Sequence, residues 1–378
     1  MKVAGLFSGI GGFEAGLENS GLKTTLMCEK DELASLVLKK RFPKIENVGD
    51  ISALNSLPND TDVVCAGFPC QNLSMAGNKK GVTGDESKIV LELFRLLRQR
   101  RVPWVVIENV YFMLHLNKGS EMAAILGELE TLGYSWAYRT LDTRGFSLAQ
   151  RRRRVFIVAS CDYDPRSVLL ADDVGKREWP GIDLAKPTGF YWTEGRSGHG
   201  LTCDAIPPLK NGSSLGIPSA PAILLPDGRV VTPTIEAAEM LQGFPARWTS
   251  PVRSKDKKRF RWRLVGNSVS VPIAEWLGNR LIEPGIYDTT GDKEFTQGTP
   301  WPYSAYNMGN GLFKASVSEY PVMKRRGRLS AFKMSDWPNL SDKAISGFIR
   351  RAREPSTKLR YPSGFLEALE RFRDNTYR

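Results

Sequence analysis

The chain has 378 residues, 25% of them charged and 41% hydrophobic, an ordinary globular mix with material for a large core and a second lobe. No apolar run approaches the ~20 residues needed to cross a bilayer, which excludes a membrane-spanning helix. The 53 Lys and Arg outnumber the 41 Asp and Glu, and the net charge of +12 points to a polyanionic partner without saying which one.

The five cysteines, Cys28, Cys65, Cys70, Cys161 and Cys203, show neither CxxC nor zinc-ligand spacing, so free thiols in a reducing cytosol are expected. With only His115 and His199, a histidine-centred triad or a polyhistidine metal site has little material, and no metal is expected. The opening residues are basic then apolar, but glycines follow at once, so the start is expected to be a strand and not a signal peptide.

In chain order, residues 3–7 form an apolar strand that opens into Ser8-Gly9-Ile10-Gly11-Gly12, and a helix follows over 13–19. A second strand covers 24–28, and 32–41 has helical spacing that stops before Pro43. Residues 62–68 and 104–108 are strand-like, with Ile89, Leu93, Leu96 and Leu97 at helical intervals between them. A strand at 155–159 closes the series, and this alternation predicts a parallel, doubly wound sheet. Residues 161–228 are rich in Gly, Pro and Ser and predict a loop-rich lobe. Helical spacing returns over 234–241 and 272–281, and from about 284 aromatics mix with basic clusters such as Lys324-Arg325-Arg326 and Arg350-Arg351.

Several positions carry chemistry. Glycines at a strand–helix turn let the backbone approach a ligand, and Glu29 lies where a carboxylate holds ribose hydroxyls. That pair suits NAD as well as an adenosyl cofactor. Asp50 and Ile51 fall near the end of a third strand, where an acid can accept from an adenine amino group or can simply cap a turn. The strand 62–68 runs straight into Pro69-Cys70-Gln71, which places Cys70 at the carboxyl edge of the sheet, where ligands of such sheets bind. Cys28 and Cys65 are expected to be small buried hydrophobes. The polar stretch 72–84 could serve as a lid. Glu108 ends an apolar strand and is either a carboxyl of raised pKa facing a nucleobase edge or a buried cap or ion pair. In Arg151-Arg152-Arg153-Arg154, strand alternation would turn Arg152 and Arg154 to one face and Arg151 and Arg153 to the other.

Together FSGIGGFEAG, GFPCQNLS, ENV, QRRRR, EMLQGFPARW and GNSV resemble, in order, the motifs of the bacterial-type C5-cytosine DNA methyltransferases, up to about residue 284. The resemblance implies a Rossmann-like class I methyltransferase α/β sheet with a second, smaller loop-rich target-recognition lobe. It implies a catalytic domain over 1–160 plus 266–284, a recognition region over 161–228, hinge and support over 229–265 and a C-terminal extension of unknown role over 285–378. S-adenosylmethionine is the implied methyl donor, with Phe7, Gly9, Gly11, Glu29, Asp50, Ile51, Gly67, Pro69 and Asn267 around it. Cys70 is the implied nucleophile at carbon 6 of cytosine, Glu108 binds N3 and the exocyclic amine, Arg154 holds the base carbonyl, and Arg152 lies nearer the phosphate or the nucleophile loop. The substrate implied is double-stranded DNA with the base flipped out, bound by a monomer in a bacterial or phage-infected cytoplasm, at the nucleoid.

Some positions depart from the family pattern. Gly5 stands where an acidic residue is common, Lys30 replaces an apolar or aromatic residue, and Asp85-Glu86-Ser87-Lys88 only loosely matches a motif carrying Arg-Ser-Gly. Arg196, His199, Lys210 and Asn211 are candidates for base readout. The extension over 285–378 could contact flanking DNA or serve packing or oligomerisation. Three competing readings stand beside this one: a transfer-RNA cytosine methyltransferase, a catalytically silent DNA-binding protein and a dinucleotide-dependent oxidoreductase, the last leaving PCQ, ENV and GNSV unexplained.

Overall fold

A computed structural model describes residues 1–68, 85–194, 200–210, 220–253, 258–296, 298–325, 327–354 and 359–378. In chain order its elements are β1 (Lys2–Leu6), α1 (Gly12–Asn19), β2 (Lys23–Cys28), α2 (Glu32–Arg41), β3 (Glu46–Asn47), β4 (Val63–Gly67), α3 (Asp85–Gln99), β5 (Trp104–Val110), α4 (Ser120–Thr131), β6 (Ser135–Asp142), β7 (Arg153–Ser160) and α5 (Arg166–Leu169). They continue with β8 (Thr188–Phe190), β9 (Thr202–Cys203), β10 (Ala222–Leu224), β11 (Val230–Val231), α6 (Ile235–Leu241), α7 (Lys258–Asn267), α8 (Val271–Ile282), β12 (Lys293–Glu294), β13 (Ser304–Asn307), β14 (Leu312–Lys314), α9 (Asp342–Arg353) and α10 (Phe365–Tyr377).

The chain divides into two compact units. The first comprises Met1–Asp142, Arg153–Lys176 and Ser268–Met323, and the second Thr143–Arg152, Arg177–Asn267 and Lys324–Arg378. Among the described residues no helix is long and apolar enough to cross a membrane.

In the first unit the strands form one ten-stranded sheet in the order β12-β14-β13-β6-β7-β5-β4-β1-β2-β3. Pairing is parallel from β3 through β5 and antiparallel from β7 outward. The central strands are apolar on both faces, as buried parallel strands must be: Val3, Ala4, Val63, Val64, Val105 and Val106 are all fully covered. Asp31 starts α2 by accepting from the backbone N–H of Leu33 and Ala34, at 3.0 and 2.9 Å.

α8 returns from late in the sequence to lie against α1. Glycines allow the approach, because a Cβ on Gly16 would fall 2.5 Å from both Ala274 Cβ and Val271 O, and one on Gly278 would fall 2.0 Å from Ser20 Oγ. Gly16→Ala should therefore destabilise the protein by about 1–3 kcal/mol through overpacking. The effect would show as a lower urea midpoint at unchanged slope, and an unchanged midpoint would contradict the close seating of the two helices.

The second unit has a four-stranded antiparallel sheet, β11-β10-β8-β9, whose strands are two or three residues long. α9 and α10 cover it, burying Ile345, Phe348, Phe365 and Leu369 with Phe190, Leu224 and Val230. Phe348 and Phe365 sit 5.0 and 5.3 Å from Phe190.

Two sequence expectations need correction. Residues 285–378 are not one module: β12, β14 and β13 extend the large sheet beside β6, whereas α9 and α10 complete the core of the second unit. Strands of two to four residues are too short to show a period, which is why composition alone set a boundary near 284. The arginine run also does not alternate as a strand. β7 begins at Arg153, so Arg151 and Arg152 precede it, and Arg152 groups with the second unit.

Candidate active site

Two clusters form along the carboxyl edge of the large sheet. The first is the turn after β1. Phe7 adopts φ 58°, a strained value for a residue with a side chain, and Gly9 and Gly11 follow at 56° and 84°. Ser8 N–H donates to Cys28 O at 3.1 Å, and Gly11 N–H donates to Ser8 O at 2.8 Å, so the turn is tied to β2 and closed on itself.

Each glycine of the turn serves a different need. A Cβ on Gly9 would meet nothing within 4 Å, so that position borders open space. One on Gly11 would strike the Phe42 ring at 2.4 Å, and one on Gly12 would meet Ser268 Oγ and Val269 O at 2.6 Å. Gly11 and Gly12 are thus required by packing, whereas Gly9 leaves room for a ligand to approach the backbone.

Glu29 follows β2 and faces this turn. Its Oε2 accepts from Gly9 N–H at 2.8 Å and its Oε1 from Asp31 N–H at 2.7 Å. Burial raises its pKa above the ordinary value, and those two backbone donors oppose the shift. The sequence reading missed Asn47. Its Oδ1 accepts from Glu29 N–H at 2.9 Å while its Nδ2 donates to Glu29 O at 3.2 Å, which clamps the backbone that carries the carboxylate. No signal pointed to it, since β3 is two residues long in a polar segment.

Asp50 is exposed and caps the turn after it, accepting from Ser52 N–H at 2.9 Å and Ser52 Oγ at 2.8 Å. Those bonds hold its carboxylate pKa below the usual value. Ile51 beside it is buried.

The second cluster lies where β4 and β5 end and β7 begins. Gly67 closes β4, and a Cβ there would stand 3.6 Å from Glu108 Oε2, in ordinary contact. Glu108 is 7% exposed, and Arg154 Nε lies 3.1 Å from its Oε1. Antiparallel pairing aligns Val110 with Arg154 and so sets the guanidinium beside that carboxylate. Asn109, quoted above only as part of a motif, is buried and joins the two strand ends: its Nδ2 donates to Phe68 O at 3.1 Å.

Other expected residues belong to the second unit or fall outside the described residues. Arg152 is 1% exposed, and its guanidinium donates to Leu209 O at 2.9 Å and Gly266 O at 3.0 Å within the second unit. Gln150 just before it bonds Leu241 O, Gln242 Oε1 and Leu209 N, so this part of the motif braces the second unit. Asn267 is exposed at the end of α7, the last residue of that unit before the chain returns to the first. Lys210 pairs with Glu194 and lies 3.6 Å over the Tyr191 ring. A cleft of the second unit is lined by Arg144, Arg151 and Trp179, with the Arg144 guanidinium 4.0 Å over the indole. Pro69, Cys70, the polar stretch 72–84, Arg196, His199 and Asn211 lie outside the described residues.

The described cysteines make poor nucleophiles. Burial pushes the Cys28 thiol up to about 12, holds Cys65 well above the ordinary thiol value, and raises Cys161 as well. Cys203 is buried. Among the described residues no cluster of His, Cys, Asp or Glu could hold a metal.

A mixed sheet whose parallel half carries a strained glycine turn facing a carboxylate, with a buried carboxylate–guanidinium pair two strands away at the same edge, defines a class I methyltransferase fold. The family model described as C-5 cytosine-specific DNA methylase matches residues 1–180. Type II methyltransferase M2.BsuMI of Bacillus subtilis (strain 168) is 43% identical over 386 residues, spanning 99% of this chain and 98% of its own. Type II methyltransferase M.DsaV of Dactylococcopsis salina is 29% identical over 327 residues, 78% of this chain and 89% of its own. The crystal structure of S. pombe Dnmt2 methyltransferase shares the fold, with a TM-score of 0.57 at 17% identity over 75% of this chain and 98% of that one. The chain belongs to the C-5 cytosine-specific DNA methyltransferase family and is an enzyme.

Proposed function

We propose that this enzyme methylates carbon 5 of a cytosine flipped out of double-stranded DNA, with Cys70 as nucleophile and S-adenosylmethionine as donor. The observation that carries the reading is the Glu108–Arg154 pair, 3.1 Å apart, beside the end of the strand that leads into Pro69-Cys70. The donor, when bound, supplies an electrophilic methyl group on a sulfonium. Open space over Gly9 and the clamped Glu29 carboxylate fit its nucleoside half, with Phe7, Gly11, Asp50, Ile51 and Gly67 on the same unit, and the family resemblance assigns Pro69 and Asn267 to the donor as well.

The Cys70 thiolate adds to carbon 6, and that bond pushes electrons toward carbon 5. Glu108 meets N3 and the exocyclic amine and supplies the N3 proton that neutralises the adduct. Arg154 orients Glu108 and lies within reach of the base carbonyl. Carbon 5 takes the methyl group, then loses its proton to solvent, and the carbon–sulfur bond breaks to release the Cys70 thiolate as the N3 proton returns to Glu108. Arg152 acts through the loop and helix whose carbonyls it holds and is a positioning residue. The second unit reads the DNA sequence, with its arginine-lined cleft meeting phosphate, and the +12 charge serves the same polyanion. We infer a modification role at the nucleoid like that of the Type II methyltransferases it resembles, carried out by a monomer.

Asn109 links Phe68 to β5, two residues before Cys70. Asn109→Ala should lower turnover about tenfold or more while leaving donor affinity unchanged, as a one-ångström error in placement does. Equal losses in both would place Asn109 in general folding instead. The function is tested by labelled methyl transfer to unmethylated DNA, with transfer RNA in parallel and bisulfite sequencing of the product. Label at 5-methylcytosine within one recurring DNA sequence is expected; label in RNA alone, or in neither, would overturn the reading.

A further inference from the structure

Beneath the glycine turn sits a carboxyl group that no step above uses. Glu14, in the first turn of α1, is fully buried, and neither side-chain oxygen has a hydrogen-bond partner of good geometry among the described residues. Such a group is rare, because an isolated carboxylate is expensive to remove from water. Its position is unusual too. A Cβ built on Gly5 would lie 1.9 Å from Glu14 Oε1, 2.9 Å from its Cδ and 2.9 Å from Ser8 Oγ.

The carboxyl therefore fills the space a side chain at position 5 would take, on the strand that feeds the turn. Ser8, whose hydroxyl donates to Gly5 O at 3.2 Å, completes this small group, and Ser8 is itself part of the turn.

We propose that Glu14 is a positioning residue for the cofactor turn: its carboxyl group, reaching from α1 into the space left by Gly5, keeps residues 7–11 in the shape that binds the methyl donor. This rests on the donor site assigned above. The titratable groups around it are Glu18 on its own helix, Glu29 after β2 and Cys65 on β4, none of which favours its charge. Burial raises its pKa to about 7, with Glu18 and Glu29 adding and the Ser8 hydroxyl pulling it back. Ionisation above neutrality would thus put a bare charge under the turn and loosen it.

The test is calorimetric S-adenosylmethionine binding from pH 6 to 8, without DNA, for the wild type, Glu14→Gln, Glu14→Ala and the double variant Gly5→Asp with Glu14→Ala. The wild type should lose affinity several-fold as pH rises. Glu14→Gln, which keeps the shape without the charge, should bind as the wild type does at pH 6 and show no such fall. Glu14→Ala should bind about tenfold more weakly than the wild type at pH 6 and show no fall with pH, and the double variant should recover most of that loss at pH 6, because residue 5 then refills the space. Melting of the donor-free protein gives an independent readout. The carboxyl is raised above its unfolded value, so its stabilisation is fully present below about 4.5 and lost as pH climbs toward about 7. At pH 8 Glu14→Gln should therefore melt higher than the wild type.

An identical pH dependence in the wild type and Glu14→Gln, or unaltered binding by Glu14→Ala, overturns the assignment. A wild type that binds no S-adenosylmethionine at any pH overturns the donor site itself, and this proposal with it.

Discussion

Cys70→Ala is expected to lower methyl transfer by about 10⁴-fold or more while leaving donor and DNA binding nearly intact. Removal of a covalent nucleophile eliminates the route instead of weakening a contact, and losses of that order are usual. The described cysteines offer no replacement, since Cys28 and Cys65 are buried in or beside the sheet with thiols pushed far above neutrality. Cytosine carbon 5 is too poor in electrons to attack a methyl group unless a nucleophile has first added at carbon 6. Single-turnover methylation with tritiated donor, beside gel-shift affinity, checks this. Turnover within tenfold of wild type would refute the covalent mechanism.

Glu108→Gln should reduce the rate by about 10²–10⁴-fold, the range of a lost general acid or base. The amide keeps an oxygen for Arg154 Nε, 3.1 Å away in the wild type, so the fold should lose no more than about 2 kcal/mol. Glu108→Ala differs, because it leaves the Arg154 guanidinium facing an empty, largely buried position and should destabilise more. Rate constants and urea midpoints for both variants separate chemistry from structure. A Glu108→Gln protein that is severely unstable yet active once folded would make the pair a structural ion pair only.

The sequence disclosed the middle of the sheet well. β1, β4 and β5 are apolar runs buried on both faces, and such runs stand out against the charged helices between them. It also placed Glu29 after its strand, through its spacing from the glycine turn, and Glu108 near the end of β5, because a carboxylate after four apolar residues is conspicuous. Residues whose roles depend on partners far along the chain were not legible. Asn47 clamps Glu29 from a two-residue strand, and Arg152 holds carbonyls at 209 and 266, which no local pattern reveals. Glu14 looked like an ordinary acid in the first turn of a helix; only the space over Gly5 shows where its carboxyl goes. The helical spacing of Ile345, Phe348, Ile349 and Ala352 was present in the sequence, but the small sheet it covers lies far earlier in the chain.

The most direct test of the central claim is to trap the adduct. Duplex DNA bearing 5-fluorocytosine at the target position has no carbon-5 proton to lose, so addition and methyl transfer can occur but release cannot. Incubation with S-adenosylmethionine, digestion and mass spectrometry should yield one peptide carrying the methylated fluoropyrimidine on Cys70. Failure to trap any complex on a DNA that is methylated normally without fluorine, or attachment to another residue, would contradict the account.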